Sequence, residues 1–322
     1  MLREDMDNKD CGFQIADSRL KNPRSYRPFP SREEVKGEGH WNLGLRDCLR
    51  FWIWNLGFAA CLLASVLSIP LNVGCQRSRA GITVAGSTSV EPFAELLAEE
   101  YMALYPELHI YVQGGGSSAG IEAARTHAAH IGMSSRLLKS TENDLLPVTI
   151  AKDAIGIIVH PTNPIQDLSL NQVRDVFSGR IQNWKELGGP NQSIDVVTRE
   201  EGSGTRESFQ NFVIGKEDIT LGALVQDSNG AVRQVISNDP RAIGYMSLGL
   251  VNNQVKAVKI SGVEPNLGNI YNGKYTLVRP FLFVFNGEPT GATKSFLDFV
   301  LSPSAQKLLL KEGLVPVLQK LE

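Results

Sequence analysis

Three times along this chain, a short strand-like run feeds directly into a Gly/Ser/Thr segment, and a helix-like run follows. Ile82-Thr83-Val84-Ala85 leads into Gly86-Ser87-Thr88-Ser89. His109-Ile110-Tyr111-Val112-Gln113 leads into Gly114-Gly115-Gly116-Ser117-Ser118. Ile194-Asp195-Val196-Val197-Thr198 leads into Arg199-Glu200-Glu201-Gly202-Ser203-Gly204-Thr205-Arg206. Alternation of this kind predicts an α/β architecture with mainly parallel sheets flanked by helices. It also narrows the ligand. A helix N-terminus presents unpartnered N–H groups and a partial positive charge, which suits an anion. Glycine lets the backbone come close to a ligand, and small hydroxyls add donors without bulk. One such turn is often only a cap. Three, one of them carrying Arg199 and Arg206, point to an oxyanion held by several helix ends.

The 322 residues leave room for two domains, and 42% hydrophobic with 20% charged residues is ordinary for a globular core. A net charge of −2 gives no reason to expect nucleic acid as a partner. The four cysteines are Cys11, Cys48, Cys61 and Cys75. With none after Cys75, a disulfide framework or a cysteine-based zinc site in the main domain is excluded. The five histidines offer no helical metal pair; His127 and His130, three apart, read as solvated helix residues. Neither metal nor cofactor is expected.

Residues 1–50 are polar and interrupted by Pro23, Pro28 and Pro30, and read as a disordered or upstream extension. Residues 51–75 carry no charged side chain and are flanked by Arg46 and Arg50 before, Arg77 and Arg79 after. That run is long enough for a membrane span, which takes about 20 apolar residues. Its end, Leu71-Asn72-Val73-Gly74-Cys75, resembles a bacterial lipobox, with Asn72 where the motif prefers Leu. The expectation is a lipoprotein signal with Cys75 as the lipidated first residue; an uncleaved N-terminal anchor is the alternative. Either places everything after Cys75 outside the cytoplasmic membrane.

From Gly81 the pattern predicts a strand at 82–85 and a helix from Pro92 to Tyr105 with an apolar stripe of Phe93, Leu96, Leu97 and Leu104. Pro92 suits the first turn and Pro106 ends the helix. A strand at 109–113, a small-residue helix at 119–129, and strands at 131–133 and 154–160 follow. His160-Pro161-Thr162-Asn163-Pro164 reads as a crossing to a second α/β block, and 276–285, with Pro280 inside it, as the return crossing. Helices are predicted over 295–301 and 305–310.

Two motifs suggest other chemistry. Gly116-Ser117-Ser118-Ala119-Gly120 fits G-x-S-x-G, the setting of a hydrolase nucleophile at Ser118. Such an enzyme needs a later His with an acid between; the only later histidines are His127, His130 and His160, so the usual chain order fails. Gly114 to Ala119 also fits G-x-G-x-x-A, but where the dinucleotide acid should stand there are Ser134, Ser135 and Arg136. Arg199 ends a strand beside the third turn, where ligands of open α/β sheets bind, and a guanidinium grips a tetrahedral oxyanion with paired bonds. Arg206 stands one residue into the following helix, and the direction of Arg136 is open.

Over about residues 81–320 the chain resembles the phosphate-binding proteins of bacterial phosphate ABC transporters, within the periplasmic-binding-protein superfamily. The resemblance rests on Gly86–Pro92, Gln113–Gly120, Ile131-Gly132-Met133-Ser134-Ser135-Arg136, Phe177–Glu186, Arg199–Arg206 and Ala242-Ile243-Gly244-Tyr245, in this order. It implies a two-lobed, hinge-closing (Venus-flytrap) fold, each lobe a mainly parallel sheet flanked by helices, with two hinge crossings. Lobe 1 would comprise 81–159 plus 278–322, and lobe 2 would comprise 160–277. It implies a monomeric, non-enzymatic protein that captures inorganic phosphate and delivers it to permease subunits. The phosphate contacts carry over to Thr88, Ser89, Ser117, Arg199, Ser203, Gly204 and Thr205, with Ser118 and Ser135 beside them. The family's proton-accepting aspartate falls on Ser135. Asp153 or Glu201 is then the candidate acceptor of the phosphate proton, Glu201 also as the carboxylate that orients Arg199. A serine hydrolase at Ser118, or a binding protein for sulfate or molybdate, remain the alternatives.

Overall fold

A computed structural model describes residues 81–317. The polar stretch 1–50, the uncharged run 51–75 with Cys75, and residues 318–322 lie outside the described residues. The first block reads β1 (Gly81–Gly86), α1 (Glu91–Leu104), β2 (His109–Gly114), α2 (Ser117–Arg125) and β3 (Ile131–Ser134). β1 lies between β2 and β3 and runs parallel to both, the pairing that strand–helix–strand crossovers impose. The long strand β4 (Leu146–Val159) and short β5 (Asp167–Leu168) follow. The second block reads α3 (Leu170–Phe177), β6 (Asp195–Arg199), α4 (Gly204–Phe209), β7 (Leu224–Gln226), α5 (Asn229–Asn238) and β8 (Ala242–Ser247). β6 runs parallel to β7 and β8. Short β9 (Lys256–Ala257) and β10 (Lys259–Ile260) and helix α6 (Leu267–Tyr271) lead to β11 (Val278–Phe285). Helices α7 (Gly291–Val300) and α8 (Pro303–Lys311) and strand β12 (Val315–Pro316) complete it.

The strand order β2-β1-β3-β11-β4-β8-β6-β7 shows how the two parallel triplets are joined. β4 and β11 pair antiparallel from Ala154↔Val278 to Leu146↔Phe285, and β4 continues against β8 from Ile155↔Ser247 to Val159↔Ile243. Two large apolar cores result. Val84, Leu97, Phe281, Phe283 and Phe296 belong to one; Ile155, Ile157, Phe177, Trp184, Phe209 and Tyr245 belong to the other. Along β11 the side chains alternate, Phe281, Phe283 and Phe285 into the first core, Leu282 and Val284 into a smaller cluster with Ile121 and Ala124.

β4 moves from the first core (Ile150, Ala151) to the second (Ala154, Ile155) in mid-strand. The chain therefore passes between the cores near Asp153, not in the Pro-rich turn at 160–164, and it starts the strand at Leu146 rather than 154. Pro147, Lys152 and Asp153 interrupt the apolar run that marks a strand from sequence, yet ladder bonds to β11 satisfy the backbone there. β11 likewise runs from Val278, packed on the second core, to Phe281 in the first.

In α1 the buried face is Phe93, Ala94, Leu97, Ala98 and Tyr101, whereas Leu104 of the expected stripe is 63% exposed. Small Ala94 and Ala98 let the helix close onto the sheet, and Tyr101 meets Phe296 edge-on at 5.3 Å. Helix α2 starts at Ser117 and ends at Arg125, short of the histidines, and His127 takes φ 58°. His127 and His130 are thus not helical: His130 Nδ1 accepts the Thr83 N–H at 3.1 Å, and His127 Nε2 lies 3.2 Å from Asn286 Nδ2. Gly120 has a packing task, since a Cβ there would come within 2.5 Å of Ala85 O and Gly86 Cα. That close approach of α2 to β1 accounts for the second glycine of the G-x-S-x-G match. Among the described residues no helix is long and apolar enough to cross a membrane, and no group of three or more His, Cys, Asp or Glu could hold a metal.

Candidate anion-binding site

Each expected turn sits at the carboxyl end of a parallel strand. After β1, Gly86 (φ 137°) turns the chain, and the Val90 and Glu91 N–H groups both donate to the Ser87 carbonyl, starting α1. After β2, Gly115 and Gly116 at φ 152° and 90° deliver Ser117, fully buried, as the first residue of α2. After β6, Ser203 caps α4, its Oγ accepting the Arg206 N–H at 3.3 Å.

The three turns converge. Ser87 Oγ donates to Ser135 Oγ at 2.9 Å; Ser117 Oγ lies 3.4 Å from the same oxygen and accepts the Ser135 N–H at 3.1 Å. Ser89 Oγ stands 2.7 Å from Thr205 Oγ1, joining the first block to the second. Gly204 packs directly against Ser117 and Ser135. Thr88 Oγ1 accepts from Arg199 Nη2 at 3.0 Å. Ser118 faces differently: its N–H donates to Gly202 O at 3.1 Å, while its Oγ accepts from Arg136 Nη2 at 3.5 Å. The Ser203 hydroxyl is engaged in the cap. Thus Thr88, Ser89, Ser117, Ser135, Arg199, Gly204 and Thr205 share one cluster, with Ser118 and Ser203 at its edge.

Arg199 is 1% exposed. Its Nε and Nη2 grip the Glu200 carboxylate at 2.9 Å each, and the same two nitrogens reach Gln226 O and Asp227 O. Nη1 is buried without a partner, a cationic N–H left for a ligand oxygen. The orienting carboxylate is therefore Glu200 and not Glu201. Glu200 N–H bonds to Gln226 O and prolongs the strand by one residue, holding its side chain beside Arg199, while Glu201 lies exposed in the turn. Arg206 Nη1 donates to the Arg199 carbonyl at 2.8 Å, and the Tyr245 hydroxyl meets Thr198 Oγ1 at 2.8 Å.

Two buried residues escaped the sequence reading. Arg279 of β11 is the register partner of Asp153 in β4, and its Nε and Nη2 bind Asp153 Oδ2 at 3.1 and 3.0 Å. The same guanidinium reaches Ser89 Oγ at 3.2 Å and Ser135 O at 3.3 Å. Asp153 is itself buried, and the Ser247 hydroxyl and the Gly249 N–H also favour its charged form. Burial pushes the Asp153 carboxyl up, opposed by the Arg279 charge; burial pushes Arg279 down, with Arg199 nearby adding to that. Asn229, first residue of α5, donates from Nδ2 to Ser89 Oγ at 2.9 Å. A signal for Asn229 existed, because Asp227-Ser228-Asn229-Gly230 follows a strand just as the other turns do. None existed for Arg279, which enters only through strand pairing.

Among the described residues no histidine completes a triad at Ser118. His127, His130 and His160 are bonded to Asn286, Thr83 and Thr162. A cavity of about 350 Å³ lined by Val176, Ile181, Asp195, Thr220 and Leu224 lies apart from the three turns.

Residues 74–304 match the family model described as a PBP superfamily domain. The phosphate-binding protein PstS of Bacillus subtilis is 32% identical over 250 residues, 76% of this chain and 83% of that protein. A substrate-binding protein from Clostridium perfringens, crystallised with bound phosphate, superposes with TM-score 0.72 at 42% identity, over 74% of this chain and all of that one. An ABC-type phosphate transport receptor from Vibrio cholerae gives TM-score 0.62 at 38% identity, over 73% and 99%.

Proposed function

The chain belongs to the periplasmic-binding-protein superfamily and within it to the PstS phosphate-binding proteins, and from that premise we propose that it captures inorganic phosphate for an ABC transporter. It acts as the extracytoplasmic substrate-binding component and hands the anion to the permease, with no chemistry of its own. The observation that carries this is the convergence of three turns from both blocks on Arg199, whose Nη1 is buried and unpartnered. Thr88, Ser89, Ser117, Ser118, Ser135, Ser203, Gly204 and Thr205 supply hydroxyl and backbone donors, and Arg199 supplies charge. A tetrahedral oxyanion accepts several such bonds at once, whereas a hydrolase would need a base at Ser118. Calorimetric titration with phosphate and sulfate tests the reading. Wild type binds phosphate, and Arg199→Ala weakens it ~30-fold or more, the scale of a charge-assisted pair lost from a closed cleft. Binding within threefold of wild type in that variant refutes it.

Phosphate near neutral pH keeps at least one proton and sulfate none, so an acceptor carboxylate favours the first. With Ser135 at the family's acid position and Glu201 exposed, Asp153 is the acceptor we assign. Asp153→Asn then weakens phosphate and narrows its advantage over sulfate. An unchanged ratio would leave selectivity to hydroxyl and backbone geometry. A sulfate- or molybdate-binding protein is the second reading, favoured by the absence of a carboxylate at Ser135.

The N-terminal assignment is a separate proposal: cleavage before Cys75 with lipid on that residue, supported by the uncharged run 51–75 and the lipobox-like end. Intact-mass analysis of membrane-extracted protein decides between this and a retained anchor. The two-lobed division, with its first boundary moved from the expected 159/160 to β4 near Asp153 and its second kept near Val278, and the monomeric state, belong to the same proposal. Limited proteolysis and light scattering test them.

A further inference from the structure

Ser89 Oγ carries one proton and two lone pairs. Arg279 Nη2 donates to that oxygen at 3.2 Å, and Asn229 Nδ2 donates to it at 2.9 Å. The orientation of Asn229 is set by its other end, because Oδ1 accepts the Ser247 N–H at 3.1 Å and so turns the NH₂ group toward Ser89. With both lone pairs taken, the Ser89 hydroxyl can only donate. Its proton points to Thr205 Oγ1, 2.7 Å away, which in turn frees the Thr205 proton for a ligand. All of these groups are buried.

We propose that Arg279 is a positioning residue of the anion site: held by Asp153, it fixes Ser89 as a hydroxyl that donates to Thr205 and so turns the Thr205 proton toward an unprotonated ligand oxygen. The inference rests on the oxyanion reading above and deepens it by assigning a polarity to the ligand. A protonated phosphate then enters with its ionised oxygens at Thr205 and Arg199, and its hydroxyl elsewhere. A monoprotonated tetrahedral dianion fits this arrangement. An ester whose substituent must occupy the Ser89–Thr205 end does not.

The geometry explains why the group is an arginine. One guanidinium must reach Asp153, Ser89 Oγ and Ser135 O together, which needs donors fanned in a plane. Burial and the neighbouring Arg199 charge both work against a cation here, and Asp153 at the register position offsets them. The site accordingly lies on the two strands that pass between the cores.

Removing Arg279 alone would leave Asp153 buried and unpaired, so the test uses a neutral pair. Phosphate is titrated into Asp153→Asn and into the double variant Asp153→Asn/Arg279→Gln, each with and without Ser89→Ala, with circular dichroism and thermal melting as fold controls. The double variant is expected to bind about 30-fold more weakly than Asp153→Asn, the scale of a charge-assisted bond lost from a desolvated site. In the Ser89→Ala background the same Arg279 change is expected to cost threefold or less, because the effect passes through Ser89. Equal costs in the two backgrounds, or no cost in the first, overturn the inference. So does collapse of the fold in the double variant with wild-type folding of Asp153→Asn, which would make Arg279 purely structural. Failure of the unaltered protein to bind phosphate refutes the functional reading instead, and is read first.

Discussion

Gly204 stands so close to Ser117 that a β-carbon on it would lie 2.2 Å from the serine hydroxyl oxygen and 2.8 Å from that of Ser135. The two residues come from different blocks, so this glycine lets one block approach the other. Gly204→Ala is expected to leave each core intact and to hold the blocks apart. Overpacking of about 1–3 kcal/mol corresponds to roughly 5- to 150-fold weaker phosphate binding. Small-angle scattering should show a larger radius with saturating phosphate than wild type shows. Affinity within threefold of wild type would mean that the Ser117 side chain simply rotates aside.

Thr205 and Ser89 hold the opposite side of the cluster through their 2.7 Å contact. Thr205→Val keeps the volume and removes the hydroxyl. The anion loses a donor, and Ser89 loses the acceptor for its proton. A hydrogen bond to a charged group contributes about 1.5–3 kcal/mol, so calorimetry should record a loss of ~10-fold or more. A Thr205→Ser variant should retain most of the affinity; if valine and serine bind alike, the methyl group and not the hydroxyl matters at this position.

Glu207 of α4 links the blocks by charge. Its carboxylate lies 3.0 Å from Arg136 Nε and 3.0 Å from Lys139 Nζ. Arg136 is itself held by Glu142 at 2.8 Å and is 3% exposed. Glu207→Gln should therefore speed phosphate release several-fold in stopped-flow measurements while leaving association almost unchanged. Since Lys139 is half exposed, raising the salt should narrow the difference between variant and wild type. A change confined to the association rate would contradict this role of Glu207.

The Arg136 hydrogen bond holds the Glu142 carboxyl below its ordinary value of 4.5, with burial opposing and the Lys139 N–H assisting. A carboxyl depressed in the folded state stabilises the protein above the unfolded pKa. That stability is lost as pH falls through the folded value. Melting temperature should therefore decline in wild type as pH drops from about 4.5 downward, beyond the decline seen in Glu142→Gln. The two curves should meet once Glu142 is protonated in both states. Parallel curves throughout that window would show that the ion pair contributes nothing to folding.

Much of this molecule was legible before any coordinate. The strand–turn–helix repeats around Gly86, Gly116 and Ser203 are local patterns, and local backbone chemistry decides them. Glycines at φ 137° and 90° and a serine cap need no distant partner to be recognised. Arg199 was found for the same reason, as the last residue of an apolar strand running into a glycine turn.

Pairing between distant segments decided the rest. Arg279 and Asp153 are far apart in the chain and meet only because β11 and β4 align in one register. Nothing around Arg279 marks it as belonging to an anion site, and Asp153 was reached only as a candidate proton acceptor with no partner in view. The choice of Glu200 over Glu201 beside Arg199 likewise turns on a single backbone bond to Gln226, which keeps one residue in the strand and releases the next. The passage between the cores stayed hidden because β4 is polar at Lys152 and Asp153, where ladder bonds rather than side-chain burial hold the strand. The sequence by itself determined the α/β class, the turns and the chemistry they offer, since these follow from propensity and period over a few residues. The tertiary structure alone decided which side chains share the anion and which carboxylate answers which arginine, because those follow from strand register and from charge desolvated by the second block.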